Sequence, residues 1–279
     1  MKKPVIVISS HVVRGSVGNR AAVFALEVLG HPVWAVPTIT LPFHPGHGPA
    51  TRIVPDEDQF AALLGDLEAS PWIGEVAAVL TGYMATAAQA RLVGAFIARL
   101  KANHAGLLHA CDPVMGDHGK LYVGADTAAA ICDCLVAQAD ILTPNRFEFG
   151  RLAGLDMPEA RAAIAACDRL HAQTVLITSM PGMMRGNLGN LLICGGKAWM
   201  AEHRRLDHPP NGPGDLTAAL LLSHLLDGAA PEEALRRVTA SVFEIVAHAA
   251  GQRADELMLE ADAGSIRQPR ANVMVRSFG

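Results

Sequence analysis

Asn211-Gly212-Pro213-Gly214-Asp215-Leu216-Thr217-Ala218 sets two glycines and a carboxylate at the head of an apolar helical run over residues 216–226. A glycine turn that opens a helix leaves backbone N–H groups without partners in the first turn. Those groups, with the positive end of the helix dipole, suit an anion such as a phosphate. A carboxylate beside such a site repels phosphate unless its proximity has a use. The use that fits is to take a proton from a hydroxyl about to attack a phosphoryl group. The competing account is that Gly214 and Asp215 only shape and cap a helix start, and so short a motif does not separate the two.

Further polar clusters follow apolar runs elsewhere in the chain. Asp112 and Asp117 flank Pro113-Val114-Met115-Gly116, and paired carboxylates in such a place suit Mg²⁺, which takes oxygen ligands; a turn beside a helix cap is the alternative. Asn145 and Glu148 stand at capping-box spacing, which competes with any catalytic role for either. Ser9-Ser10-His11, Thr81-Gly82-Tyr83 and Thr178-Ser179 each end an apolar segment. Residues 38–54 are rich in Pro, Gly and His with little periodicity, too long for an ordinary connection, and read as a lid over a site. His44 and His47 within it evoke a metal site, but Pro45 and Gly46 prevent a rigid helical pair.

The elements that must hold these groups alternate. Strands are predicted at 4–8, 32–37, 76–80, 107–112, 141–144 and 174–177. Helices are predicted at 17–29, 56–69, 86–102, 125–137, 158–171, 216–226 and 231–249. Gly195-Gly196 between two apolar runs, 188–194 and 197–203, signals a hairpin. The tail from 264 is weakly patterned and is assigned to the surface. Alternation of this kind implies an α/β fold, a mostly parallel sheet with helices on both faces, and the chain shows no linker or repeat, so residues 1–279 form one domain. The polar clusters then gather along one sheet edge, where open parallel sheets place ligands.

Composition narrows the partners. Hydrophobic residues make up 51% and aromatics 5%, so the core is aliphatic; the net charge of −4 without a basic patch argues against nucleic acid or a membrane surface. No apolar run approaches membrane-spanning length, and the first residues read as a strand and not as a signal peptide. Five cysteines without zinc-type spacing point to reduced thiols and a cytoplasmic protein.

Together, the glycine–aspartate turn, Cys111-Asp112-Pro113-Val114-Met115-Gly116-Asp117, Thr143-Pro144-Asn145, and Ser10-His11-Val12 with Gly18-Asn19 resemble the pyridoxal kinases of the ribokinase superfamily. The resemblance runs in order from Ile8 to about Ala249. It implies a ribokinase-like three-layer sandwich with a small lid, and ATP-dependent phosphorylation of the 5′-hydroxyl of pyridoxal or a related vitamer. Asp215 would be the base, with Gly212 and Gly214 forming the anion turn. Ser10, Thr38 and Tyr83 would hold the pyridine ring, lined by His11 and Val12. Asp112, Asp117, Asn145 and Glu148 would lie at the phosphates and Mg²⁺. Thr143 and Thr178, with Asp112, match a monovalent-cation site for K⁺ or Na⁺ found in some relatives. Thr178 and Ser179 would approach ATP, and the stretch 205–214 would run past the nucleotide. A homodimer is also implied.

Two departures stand out. Pro213 replaces the Thr, Ala or Val usual between the glycines and removes one N–H from the anion turn. The lid, residues 40–48, differs from the Asn-, Gln- and Tyr-containing segment of typical members and retains only Thr38, His44 and Gly48 in place. The lid raises the alternative of a hydroxymethylpyrimidine or other small-alcohol kinase. Pro213 raises that of a catalytically weak vitamer- or nucleotide-binding protein.

Overall fold

The computed structural model describes residues 2–117 and 119–278. Its strands are β1 (Val5–Val12), β2 (Val33–Leu41), β3 (Ala78–Thr81), β4 (Leu108–Cys111), β5 (Gly116–Asp117), β6 (Lys120–Leu121), β7 (Ile141–Leu142), β8 (Thr174–Pro181), β9 (Asn187–Cys194), β10 (Lys197–Arg204) and β11 (Met274–Phe278). The helices are α1 (Asn19–Val28), α2 (Glu57–Ala69), α3 (Ala87–Asn103), α4 (Ala125–Cys134), α5 (Arg146–Ala153), α6 (Ala160–Ala166), α7 (Pro213–Leu226), α8 (Pro231–Gly251) and α9 (Ala263–Arg267).

Val5-Ile6-Val7-Ile8 is buried on both faces, as a near-continuous apolar run in a central parallel strand must be. Among the described residues nine strands form one sheet in the order β11-β10-β9-β8-β7-β4-β3-β1-β2. Pairing is parallel from β2 across to β8 and antiparallel from β8 to β11. α2, α3, α4, α5 and α6 bury their apolar faces on one side of the sheet, and α1, α7, α8 and α9 on the other. Three layers result. α7 is apolar almost all round because it is packed between α1 and α8 as well as on the sheet.

The chain leaves β1 for β2 on one side and returns to β3 on the other, so the strand order reverses between β1 and β3. A crevice opens at such a switch point. The antiparallel β5–β6 pair forms a separate two-stranded sheet next to α5.

Several boundaries differ from the sequence pattern. The first strand, placed at 4–8, continues through Ser9-Ser10-His11-Val12, and the second, placed at 32–37, continues to Leu41. Parallel pairing with a register shift between Ser9 and His11 carries both strands past their last apolar residue. Cross-strand hydrogen bonds override a local pattern that reads as a turn. Pro37 is tolerated because β2 is an edge strand. The tail assigned to the surface contributes β11, which pairs with β10 and buries Val273 beside it. No helix among the described residues is long and apolar enough to cross a membrane. The five cysteines are unpaired thiols; Cys111 and Cys167 are buried and the rest half-buried.

Candidate active site

The turn before α7 is built around Gly212, at φ 99°, in the left-handed region that favours glycine. A methyl group placed on it would stand 2.2 Å from the Ser16 carbonyl oxygen, so the turn rests directly on the β1–α1 loop. The helix begins at Pro213, three residues earlier than the apolar pattern from Leu216 suggests. Proline is suited to a first helical position, where its N–H would have no intrahelical partner. The Pro213 carbonyl accepts a 2.6 Å hydrogen bond from the Thr217 hydroxyl. Gly214 and Asp215 fall in the first turn and retain their amides, and Gly214 is exposed.

Asp215 lies at the switch point. It lines a small cavity with Ser9 of β1, Thr81 and Gly82 at the end of β3, and Asp112 after β4. A methyl group on Gly82 would come within 3.8 Å of Asp215 Oδ1 and 2.5 Å of Ser9 Oγ, and one on Gly214 within 3.8 Å of Asp112 Oδ2. The two carboxylates thus face one another across the head of α7. Burial pushes the Asp215 carboxyl above its ordinary range, opposed by the backbone N–H groups of Gly18 and of Asp215 itself.

Asp112 is buried, and its pKa is raised well above the usual value by burial and by the charges of Glu148 and Asp215. Glu148 is also buried. It accepts hydrogen bonds from the backbone of Met115 (2.9 Å), Gly116 (3.2 Å) and Asn145 (2.9 Å). Burial nevertheless prevails over these donors and lifts Glu148 to about 7. Asn145 and Glu148 do form the reciprocal capping box of α5, and Asn145 Nδ2 donates to the Gly116 carbonyl at 2.8 Å. The box is therefore structural, and it also ties the Asp112–Asp117 segment to α5. Asp117 lies on β5, close enough to add to the rise of Glu148; burial, then the charges of Asp117 and Glu148, pushes the Tyr122 phenol up to about 12.

Thr143 Oγ1 is buried beside Asp112 with no hydrogen bond of good geometry. Thr178 pairs with Asn145 through an isolated parallel bridge, and its N–H donates to the Pro144 carbonyl at 3.0 Å. A register shift between Ile177 and Met180 produces this excursion, and exposed Ser179 adopts a left-handed φ of 59° within it. The carboxyl groups of Asp112, Glu148 and Asp215, crowded together beside the buried Thr143 hydroxyl, are a hard-oxygen environment suited to cations. Among the described residues, no three acidic, histidine or cysteine side chains converge tightly enough to hold an ion unaided. Phosphate or water oxygens would have to complete the shell.

The residues that the resemblance assigns to the acceptor pocket gather around β1 and β2. Ser10 and His11 are half-buried on β1, and Val12 packs with Val17, Ile39 and Leu41 and with the partly buried Tyr83. Gly18, at φ 57°, presses on Ser10 so closely that a methyl group would meet its hydroxyl at 2.4 Å. Burial, then the Arg20 charge, holds His11 below the usual imidazole range. Thr38 is fully buried, and its hydroxyl donates to the Tyr83 carbonyl at 2.8 Å while its own carbonyl accepts from Gln89 at 2.8 Å. In this arrangement Thr38 braces Tyr83. The Tyr83 hydroxyl accepts from Arg52 at 3.1 Å.

The polar clusters around Ser10, Gly82, Asp112, Asn145 and Thr178 and the glycine turn therefore share one sheet edge. Tyr122, Arg52, Gln89 and Glu256 belong to the same neighbourhood and escape sequence reasoning. Tyr122 is left 60% exposed by the fold. The others have no local motif.

A helix N-terminus open to an anion, with a carboxylate at the switch point of a three-layer α/β sandwich, defines a small-molecule kinase of ribokinase-like fold. The family profile described as phosphomethylpyrimidine kinase matches residues 57–256. The pyridoxine/pyridoxal/pyridoxamine kinase of Bordetella avium is 40% identical over 242 residues, 83% of this chain and 80% of that protein. Pyridoxal kinase PdxY of Rubrobacter xylanophilus is 34% identical over 98% of this chain and 96% of its own. The structure of pyridoxal kinase from Leishmania donovani in complex with ADP and pyridoxamine has a TM-score of 0.91 at 27% identity, covering 99% of this chain and 100% of that one. The chain belongs to the phosphomethylpyrimidine kinase family and, within the ribokinase-like enzymes, to the pyridoxal kinases.

Proposed function

We propose that this protein transfers the terminal phosphoryl group of ATP to the 5′-hydroxyl of pyridoxal or a related B6 vitamer. The observation that carries the reading is the Asp215 carboxylate, set in the first turn of α7 and aimed into the β1–β3 crevice beside the Gly214 amide. Asp215 accepts the hydroxyl proton as the oxygen attacks phosphorus. The amides of Gly212, Gly214 and the helix dipole receive the charge on the transferring group. Ser10, His11, Val12 and Tyr83 hold and enclose the ring, with Thr38 bracing Tyr83. Asn145, Thr178 and Ser179 border the nucleotide.

Asp112, Glu148 and Asp117 fit Mg²⁺, directly or through water, and Asp112, Thr143 and Thr178 fit K⁺ or Na⁺; the buried Thr143 hydroxyl beside Asp112 supports the second assignment. Bound Mg²⁺ would neutralise phosphate charge. The family resemblance supports a homodimer, which light scattering tests, and the unpaired thiols support a cytoplasmic location.

The alternatives are not favoured. Relatives matched over nearly the whole chain are pyridoxal kinases, and Gly214 and Asp215 keep first-turn amides for an anion where Pro213 has none. Incubation with ATP, Mg²⁺ and a panel of vitamers is expected to yield the 5′-phosphates by mass. A higher kcat/KM on hydroxymethylpyrimidine than on any vitamer would overturn the acceptor assignment.

A further inference from the structure

After β2 the lid runs through a single 3-10 turn, Pro45–His47, whose preceding residue His44 accepts from the Gly46 amide at 3.1 Å. The turn has no apolar anchor of its own, since none of its residues is buried. Its hold on the protein is polar. His47 Nε2 lies 2.8 Å from Glu256 Oε1, and Nδ1 lies 3.8 Å from Asp255 Oδ2. Asp255 is in turn paired with Arg14 at 3.1 Å.

Glu256 is an unusual partner for a surface loop. Its side chain is only 10% exposed, and a buried carboxylate is stable only when paired and hydrogen-bonded. Its second oxygen accepts from the Ser16 amide at 3.2 Å, and Gly15, at φ 110°, leaves so little room that a methyl group would meet the carboxyl carbon at 2.7 Å. Its backbone pairs with Asn211, the residue before the catalytic turn. Ser16 completes the circuit, because its carbonyl is the atom against which Gly212 packs. The lid itself reaches the same place: a methyl group on Gly46 would lie 3.8 Å from Asn211 Nδ2. One carboxylate thus joins the lid, the β1–α1 loop and the segment that carries the anion turn.

We propose that His47 and Glu256 form a latch that holds the lid closed over the acceptor pocket, and that Glu256 is a positioning residue for phosphoryl transfer. The proposal rests on the kinase reading above. A closed lid excludes water from the phosphoryl group. When the latch is lost, water takes the place of the vitamer hydroxyl as the attacking oxygen. The bond to the bridging oxygen breaks, and ADP, inorganic phosphate and a proton are released with no vitamer consumed.

The test compares wild type, His47→Ala, His47→Gln, Glu256→Gln and the His47→Ala/Glu256→Gln double variant. His47→Ala is expected to raise the vitamer KM more than it lowers kcat. It should also raise ATP hydrolysed per vitamer phosphorylated by about tenfold, the change that loss of one charge-assisted hydrogen bond produces. His47→Gln places an amide nitrogen near the position of Nε2 and should restore coupling. The double variant should be no worse than the worse single one. Hydrogen exchange of the non-proline amides between residues 43 and 53 should accelerate in His47→Ala without substrates present. Lid exchange unchanged by His47→Ala, or an unchanged hydrolysis-to-transfer ratio, would overturn the latch. A wild-type protein that phosphorylates no vitamer defeats the functional reading instead, and the exchange measurement still decides the latch.

Discussion

Three carboxylates, Asp112, Glu148 and Asp215, share one end of the sheet, and burial raises all three. Their tasks are separated by what surrounds them. Glu148 accepts from three backbone donors and is fastened to α5, so its carboxyl group is held in one place. Asp215 faces a cavity and has only local N–H groups opposing its rise, which leaves it able to accept a proton. Asp215→Asn preserves shape and removes basicity. Turnover should fall by about 10²–10⁴-fold, the usual worth of a positioned base, while calorimetry records ATP and vitamer binding close to wild type. The pH profile carries the same signature. Asp215 must be unprotonated to act, so kcat falls as pH drops through its raised pKa, and the acid limb should lie above the range of an ordinary aspartate. Turnover unchanged in the Asn variant would remove Asp215 from the mechanism.

At the scale of elements, the functional geometry comes from places where backbone pairing departs from regularity. Gly212 is the sharpest case, since its left-handed φ and its contact with the Ser16 carbonyl each exclude a side chain. Gly212→Ala should lower the melting temperature, with a conformational cost of about 1–3 kcal/mol before the clash is counted. Activity should fall further than the melt accounts for, because the amides of the turn would be displaced from the phosphoryl site; near-normal kcat in a folded Gly212→Ala protein would contradict this placement. The sequence shows this turn plainly because glycine, proline and aspartate mark it locally. Alternation of apolar runs likewise reveals the parallel sheet, and the order of polar clusters reveals the sheet edge along which they gather. The continuation of β1 through Ser10 and His11 is invisible because polar residues there are held by pairing with β2 and not by burial of an apolar face. β11 is missed for a related reason: an edge strand with alternating exposed residues leaves a weak pattern, and β10 supplies its register. Glu256 is the most hidden of all. It meets Ser16 across 240 residues, and no spacing rule connects them.

For the whole molecule, the site and the sheet beneath it impose opposite demands on pH. Glu148 has a folded pKa of about 7 against an ordinary value of 4.5, so the native state binds its proton more tightly and this contribution to stability declines as pH rises through that interval. His109 does the reverse. It is fully buried on β4, with Nε2 3.0 Å from the Thr81 hydroxyl, and burial followed by the Lys101 charge lowers it to about 3. The unfolded chain protonates this histidine near its ordinary 6.5 while the native protein does not, so stability is lost as pH falls from there towards 3. At pH 5 the linkage amounts to about 2 kcal/mol. His109→Gln keeps a hydrogen-bonding group for Thr81 and removes the titration. Every other ionisable group is common to the two proteins, so the difference between their melting temperatures isolates His109. Wild type should lose several degrees relative to the variant between pH 7.5 and pH 5. A parallel pH dependence in both proteins would mean that the imidazole accepts a proton without opening the β3–β4 pair, and the sheet under Asp112 would then be far more yielding than its burial implies.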